Sequence, residues 1–252
     1  MKKIIIMGAS SGIGFALAEA FVSRGVKIGV AARRTDSLIS LQNRYPGLVE
    51  YAAIDITHRD ATDKLSELID RIGGLDLYIH VSGIGYRNPE LDPELEVNIL
   101  NTNVSGFARM VAHTYRYFRN HGIKGHIAAV TSVAGTKGVS LMPAYSASKA
   151  MDSAYLLALA QLSKNEGSDI TITDIRPGWV TTPLLNPNHR YPLQMETEYI
   201  VPRILKAIAS KQRVAVIDWR WNLLVGLWQL IPNALWIRMR IPMSNPTDPK
   251  AL

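Results

Sequence analysis

Short runs of aliphatic and β-branched residues alternate along the chain with longer stretches whose apolar positions recur at helical spacing. The first run is KKIIIMGA at 2–9, and GFALAEAFVSRG follows with helical periodicity and a closing Gly25. Further strand-like runs are VKIGVAA, VEYAAID, LDLYIHVS, GHIAAVTS, DITITDIRPG and QRVAVID. Helices are predicted between them, from Thr35 to Arg44, from Arg59 to Ile72, over a long stretch from Pro93 to Asn120, and onward from MPAYSASKAMDS at 142–153. Strands separated by helices at this spacing indicate parallel βαβ units. No repeat, linker or low-complexity tract interrupts them. The prediction is one α/β domain over residues 1–252, with about seven parallel strands in a doubly wound sheet and helices on both faces.

Such sheets bind ligands beyond the carboxyl ends of their strands. Polar residues and glycines gather at those ends: Gly8 to Gly14, Arg33, Asp55, Ser82, Gly83, Ser132, Pro177 and Gly178. Turn formation alone would account for many of the glycines. Composition narrows the picture further. The chain has 252 residues, 47% of them hydrophobic, enough for one sizeable core. It lacks cysteine, which excludes disulfides and thiolate metal sites and suits a reducing, cytoplasmic compartment. MKKIIIM superficially resembles a signal peptide, but the apolar run stops after Met7 and reads as a buried strand. A net charge of +7 fits nucleic acid, a membrane surface or an anionic cofactor. No Lys/Arg-rich block marks a nucleic-acid footprint, so the last two remain.

GASSGIG places Gly8, Gly12 and Gly14 directly after a strand and before a helix, the context a dinucleotide loop needs. Glycines let the backbone approach a pyrophosphate, and the helix start offers free N–H groups. At the end of the second strand an NAD site would carry an acid for the ribose hydroxyls. This chain has Ala32, Arg33 and Arg34 there, which favour the 2′-phosphate of NADPH or NADP+ and put NADH second. A solvated helix start is the competing reading of the arginines. Asp36 lies too far into the next helix to serve. Asp55 is a candidate for the adenine edge, or else an N-cap for the following helix.

Tyr145 and Lys149 stand four residues apart, so they share one helical face, and small residues surround them. A lysine beside a tyrosine stabilises the phenolate and so suits the phenol to general-acid work. Alone, the pair would read as surface packing. Ser132 lies just past the fifth strand, however, and Asn103 sits in NTNVSG on the long helix.

Together these segments resemble the short-chain dehydrogenase/reductase family, a Rossmann fold. The resemblance covers residues 1–182 and rests on the glycine loop, NVSG, TSVAG, YSASK and RPGWVTTP, in the family's order. It implies a catalytic tetrad of Asn103, Ser132, Tyr145 and Lys149. Tyr145 would protonate the carbonyl oxygen, Ser132 would hold it, and Lys149 would bind the nicotinamide ribose and tune the tyrosine. Asn103 would anchor a water that relays protons to Lys149. The Val180 backbone and the Thr182 side chain would bind the carboxamide. The cofactor set is then Gly8, Ser10, Ser11, Gly12, Ile13, Gly14, Arg33, Arg34, Asp55, Ile56, Ser82, Gly83, Tyr145, Lys149, Pro177, Gly178, Val180 and Thr182. No metal is expected.

Three departures stand out. Met7 replaces the threonine usual before the first glycine, and His80-Val81-Ser82-Gly83 replaces NNAG. These segments lie side by side in the family, so the two changes are expected to be linked. His80 is either an extra acid/base or a satisfied buried histidine, the latter favoured. The third departure is Ser11, neutral where NADPH-preferring members often carry a basic residue, which leaves the preference to Arg33.

PLLNPNHRYPLQM at 183–195 matches a substrate lid in the family, with Leu184, Leu185, Tyr191, Leu193 and Met195 as apolar cover and His189 and Arg190 as charged exceptions. Val133, Ala134, Val139 and Trp179 add to the wall. The expected substrate is a bulky apolar ketone or alcohol, such as a steroid or a 3-keto lipid. The expected activity is NADPH-dependent carbonyl reduction. The alternatives are a dinucleotide-sensing binding protein on the same fold, or a membrane-peripheral interaction module. Small residues after Tyr145, from Ala150 to Ala158, predict a homodimer or homotetramer. Residues 219–241 hold four of the five tryptophans and no acid. The uncharged span from Trp221 to Ile237 is short of the ~20 apolar residues a transmembrane helix needs. Peripheral contact with a membrane surface is one reading, and a helix packed over the active site or buried against another subunit is the other.

Overall fold

The computed structural model describes residues 2–185 and 191–239. The chain starts with strand β1 (Ile4–Met7), helix α1 (Gly12–Val22), β2 (Ile28–Ala32), α2 (Asp36–Arg44), β3 (Val49–Ala53), α3 (Ala61–Ile72) and β4 (Leu77–His80). There follow α4 (Pro93–Leu100), α5 (Phe107–Asn120), β5 (His126–Val130), α6 (Pro143–Glu166), β6 (Thr171–Arg176), α7 (Thr197–Ala209) and β7 (Val214–Val216). Helices α8 (Trp219–Gln229) and α9 (Asn233–Trp236) close the described chain. The seven strands form one sheet in the order β3-β2-β1-β4-β5-β6-β7. Every pairing is parallel, as the alternation predicts.

Both faces of the sheet are buried because the strands are apolar at consecutive positions. Ile4 and Ile6 point into one core layer with Ile28, Val30 and Val130. Ile5 and Met7 point into the other with Tyr78, Phe107 and Phe118. The chain runs outward from β1 to β3, then returns to β4 and proceeds the other way. The reversal lies between β1 and β4, and the carboxyl ends of these two strands open a crevice there.

The stretch predicted as one helix over Pro93 to Asn120 is two helices joined by a π-helical segment, Asn101–Gly106. The segment coincides with NTNVSG. A side chain on Gly106 would strike Ile56 after β3, so the wider turn brings this helix close to the loop it passes. Strand β7 is shorter than QRVAVID implied. Asp218 ends that run instead, accepting from the Arg220 backbone N–H at 2.8 Å and from Tyr199 Oη at 2.7 Å to start α8. The Arg220 guanidinium is the main influence that lowers the Asp218 carboxyl to about 2.

Gly14 lies inside α1 with its α-carbon against the Gly8 carbonyl, which leaves no space for a side chain. Gly226 on α8 faces open space. Gly14→Ala should therefore cost about 1–3 kcal/mol by overpacking. Gly226→Ala should stabilise by about 0.5–1 kcal/mol through helix propensity. Urea unfolding midpoints of the two variants should move in opposite directions.

Candidate active site

A cavity of about 840 Å³ opens along the carboxyl ends of the strands. Its inner half is built from the turns that leave β1 to β6. The first turn is shaped by glycine: Gly8 and Gly12 have φ of +92° and +54°, where an L side chain is strained. Gly8 donates from its N–H to the Ala31 carbonyl at 2.7 Å, and Ser37 Oγ donates to the Ser10 carbonyl at 2.8 Å, so the loop is held from β2 and α2. Ser11 caps α1 without a side-chain bond, which leaves the first N–H groups of that helix facing the cavity.

Met7 and the His80 segment meet as expected. Met7 pairs with His80 in the sheet, and the Met7 carbonyl accepts from the N–H groups of Val81 and Ser82 at 2.8 and 3.0 Å. Backbone groups thus make the hydrogen bonds of this turn. His80 is wholly buried, contacts Tyr78 Oη through Nδ1 at 2.9 Å, packs edge-on against Phe107, and is absent from the cavity wall. Burial, with the Lys149 charge behind it, lowers its pKa to about 3, so it is neutral.

Of the sequence-predicted cofactor residues, all but Gly14 line the cavity. Gly14 stands behind that lining, where its missing side chain lets α1 sit on the Gly8 turn. Arg33 and Arg34 stand exposed at the end of β2, beside Asp55 and Ile56 after β3. Asp55 is not the cap of α3, a position taken by Asp60. It accepts from the Thr57 N–H and Oγ1 at 2.9 and 2.7 Å in a tight turn. Burial opposes its charge, but the Thr57 bonds and the Arg33 charge win and hold the carboxyl below its usual value.

Ser132, Tyr145 and Lys149 all line the cavity, brought together from the end of β5 and the start of α6. Gly135 allows this, since its α-carbon lies against the Lys149 backbone with no room for a side chain. Asn103 stands one layer behind. Its Oδ1 accepts from the Ile84 N–H at 2.8 Å, and its Nδ2 donates to the Ile84 carbonyl at 2.7 Å and to Ser148 Oγ at 3.1 Å. It therefore ties the turn after β4 to α6, a different placement from the other three. Lys149 Nζ lies 2.9 Å from Asp152 Oδ2, and both residues are buried. Asp152 went unnoticed in the sequence, although its spacing of three from Lys149 puts the two on one helical face.

The outer half of the cavity is apolar. Val133, Ala134, Val139, Trp179, Leu184, Leu185 and Tyr191 line it, and Trp179 stacks on Tyr191 with ring centroids 4.7 Å apart. Leu193 and Met195 do not reach it. Met195 is buried in the core, and Leu193 packs beside it and accepts from Trp221 Nε1 at 3.2 Å. His189 and Arg190 lie outside the described residues. Trp221, Leu224, Trp228 and Trp236, in the segment that the sequence left open between a membrane contact, a subunit contact and a helix over the active site, complete the wall. The indoles turn inward: Trp228 Nε1 donates to Thr136 Oγ1 at 2.8 Å and Trp236 Nε1 to the Gly138 carbonyl at 2.9 Å. Lys137 Nζ, also on the wall, donates to the Ile231 carbonyl at 2.9 Å.

The sequence profile described as short chain dehydrogenase matches residues 2–191. The chain belongs to the short-chain dehydrogenase family. As a member of that family it is an NAD(P)-dependent oxidoreductase. It is 31% identical over 241 residues to an uncharacterized oxidoreductase of Myxococcus xanthus, covering 93% of this chain and 94% of that one. A short-chain dehydrogenase/reductase from Mycobacterium marinum superposes with a TM-score of 0.79 at 26% identity, over 87% of this chain and 95% of that one. A Burkholderia cenocepacia short chain dehydrogenase, solved in complex with NADP, has the same fold with a TM-score of 0.80 at 21% identity, over 96% of this chain and 100% of that one.

The cavity fits the family's coenzyme on its own terms: side-chain-free glycines, open helix N–H groups and two arginines lie along one wall. Behind it, His80 has a consequence for stability. The folded protein keeps it neutral down to about 3, whereas the unfolded chain takes up that proton near its ordinary value of ~6.5. Stability is therefore full above ~6.5 and falls as the pH drops, by about 1.4 kcal/mol per pH unit. Between about pH 7 and pH 5, the dehydrogenase should lose about 2 kcal/mol more than its His80→Gln variant in urea unfolding. Equal losses would mean that His80 is not held neutral.

Proposed function

We propose that this dehydrogenase is an NADPH-dependent carbonyl reductase for a bulky apolar ketone, such as a steroid or a 3-keto lipid. The observation that carries the reading is the outer cavity wall, where Trp179, Tyr191, Trp221, Leu224, Trp228 and Trp236 face the same space as Tyr145. Such a wall rewards a large apolar body and gives little to a small or ionic one. We read the described residues as one catalytic domain.

A bound nicotinamide coenzyme supplies the hydride. Arg33 and Arg34 bind its 2′-phosphate, and the Gly8–Gly12 backbone and the α1 N–H groups hold its pyrophosphate. Ser132 donates to the substrate carbonyl oxygen and fixes it beside Tyr145. Tyr145 then gives that oxygen its phenolic proton. Lys149 grips the ribose, and its ammonium favours the phenolate left behind. Lys149 passes a proton back toward that phenolate, the water anchored by Asn103 returns one to Lys149, and the hold of Asn103 on Ile84 keeps that path in register. Thr182 and the Val180 backbone bind the carboxamide, with Pro177 and Gly178 shaping the turn. A dinucleotide sensor would have no use for Tyr145, so turnover of any ketone excludes that alternative. We place the homodimer or homotetramer contact on the exposed α6 face of Ala150, Ala154, Leu157 and Ala158.

The same reading includes contact with an anionic lipid surface. No helix among the described residues is long and apolar enough to cross a membrane. The outward side of α8 and α9 nevertheless exposes Leu223, Leu227, Leu230 and Ile237, at 58%, 56%, 79% and 81%. The sequence has no acid between Asp218 and Asp248, and Arg238 flanks the patch, while Arg220 is paired with Asp218. That charge complements anionic headgroups, whereas a second copy seated on the same patch would meet its own sign. The leucines would make this contact, since three of the tryptophans face inward.

Two measurements follow. The wild type should prefer NADPH over NADH in kcat/KM on a ketone panel. Arg33→Ala should cut the NADPH value by about 10- to 100-fold while sparing NADH. On the same panel, Tyr145→Phe should lose about 10²–10⁴-fold in rate and still bind NADPH. Equal use of both coenzymes would sink the NADPH reading. In vesicle flotation, the wild type should rise with anionic liposomes and Leu227→Glu should stay behind. A wild type that fails to float removes the lipid contact.

A further inference from the structure

Lys149 and Asp152 sit three residues apart on α6, with side chains only 5% and 0% exposed. Nζ and Oδ2 are 2.9 Å apart. Asp152 Oδ1 is buried without a hydrogen-bond partner. On a surface such a pair is commonplace and worth little. Inside a protein it is costly, because two ions leave water and one carboxylate oxygen is left unsatisfied. Well-packed apolar residues at both positions would serve stability as well or better. The lysine lines the cavity, but the acid does not. The burial of Asp152 therefore has a purpose only through Lys149.

We propose that Asp152 is a positioning residue that holds Lys149 in place as a charged ammonium, so that the lysine keeps its grip on the coenzyme as the pH rises. This rests on the reading of Lys149 as the group that grips the coenzyme ribose. The titratable groups that act on the ammonium are Asp152 and Tyr145 on α6, Asp174 on β6 and His80 on β4. His80 is neutral. Asp174 is engaged elsewhere, accepting from Thr131 Oγ1 and Arg176 Nε at 2.5 and 2.8 Å. Burial is the largest influence on Lys149 and works against its charge. Asp152 is first among the groups that oppose burial, ahead of Tyr145 and Asp174, and together they hold the lysine above its usual value. Without Asp152, burial is left facing weaker opposition. The lysine then gives up its proton at a lower pH, and the ammonium-dependent part of coenzyme affinity, present below that point, is lost above it.

The test is NADPH titration, followed by coenzyme fluorescence, for the wild type, Asp152→Asn, Asp152→Glu and Lys149→Ala between about pH 6.5 and about pH 10. Asp152→Asn should bind close to the wild type at the acidic end. Above the new ionisation point its Kd, relative to the wild type, should rise about tenfold per pH unit. Asp152→Glu should restore the wild-type profile, and Lys149→Ala should be weak at every pH. A constant loss at all pH values in Asp152→Asn, or none at all, overturns the proposal. If Lys149→Ala binds NADPH as tightly as the wild type, the ribose-grip reading has failed and takes the proposal with it, an outcome that this control alone identifies. Should Asp152→Asn not fold, Asp152→Ser, which leaves space for a water, undergoes the same titration with the same outcomes.

Discussion

The backbone of the Gly8 turn lies against the backbone of Ser82, with no space for a side chain between them. Much of the site depends on that contact. The Met7 carbonyl can reach the N–H groups of Val81 and Ser82 only because the two strand ends run together this closely. With β1 and β4 so joined, the turns after β2 and β3 fall to one side of the crevice and those after β5 and β6 to the other. One side carries arginines and helix N–H groups, which suit phosphates. The other carries Ser132, Tyr145 and Lys149, which suit a carbonyl.

The floor beneath this crevice is unusually polar for a buried layer. Asn103 bonds Ile84 on both its N–H and its carbonyl, Thr131 bonds Asp174, and Tyr78 bonds His80. Partners within and between elements keep most of these groups satisfied, which is what makes their burial tolerable. Among the exceptions, His80 Nε2 and Asp152 Oδ1 lie on residues that share the field of Lys149. The cost of these two unsatisfied atoms is borne around one ammonium.

The roof is made by the end of the described chain. Asp218 has a φ of 78°, a strained value for a residue with a side chain, and its bonds to Arg220 and Tyr199 hold it there. From that point α8 runs back across the sheet, and Trp221 packs on Gly178, where any side chain would collide with the indole. Trp221, Trp228 and Trp236 then follow one another edge to face, with centroids 6.2 and 6.0 Å apart. Part of the apolar half of the cavity thus comes from a segment far in sequence from the residues that carry the chemistry.

The sequence by itself determined the sheet, the glycine turn and the residues placed around the cavity. These are local matters: strand and helix periods, glycines between β1 and α1, and a Tyr–Lys spacing that puts both side chains on one helical face all act within a few residues. Tertiary structure decided what depends on contacts between distant segments. Asn103 and Tyr145 look equivalent in the sequence, yet one is held behind the wall by Ile84 and the other lines it. Met195 and Tyr191 look equally apolar, but the parallel bridge between Val180 and Met195 buries the first and leaves the second facing the cavity. The run from Trp219 to Trp236 has no strong apolar stripe of its own to say which side faces in. Only Gly178, Thr136 and Gly138, brought near by the fold, select the indoles for the cavity and leave the leucines outside.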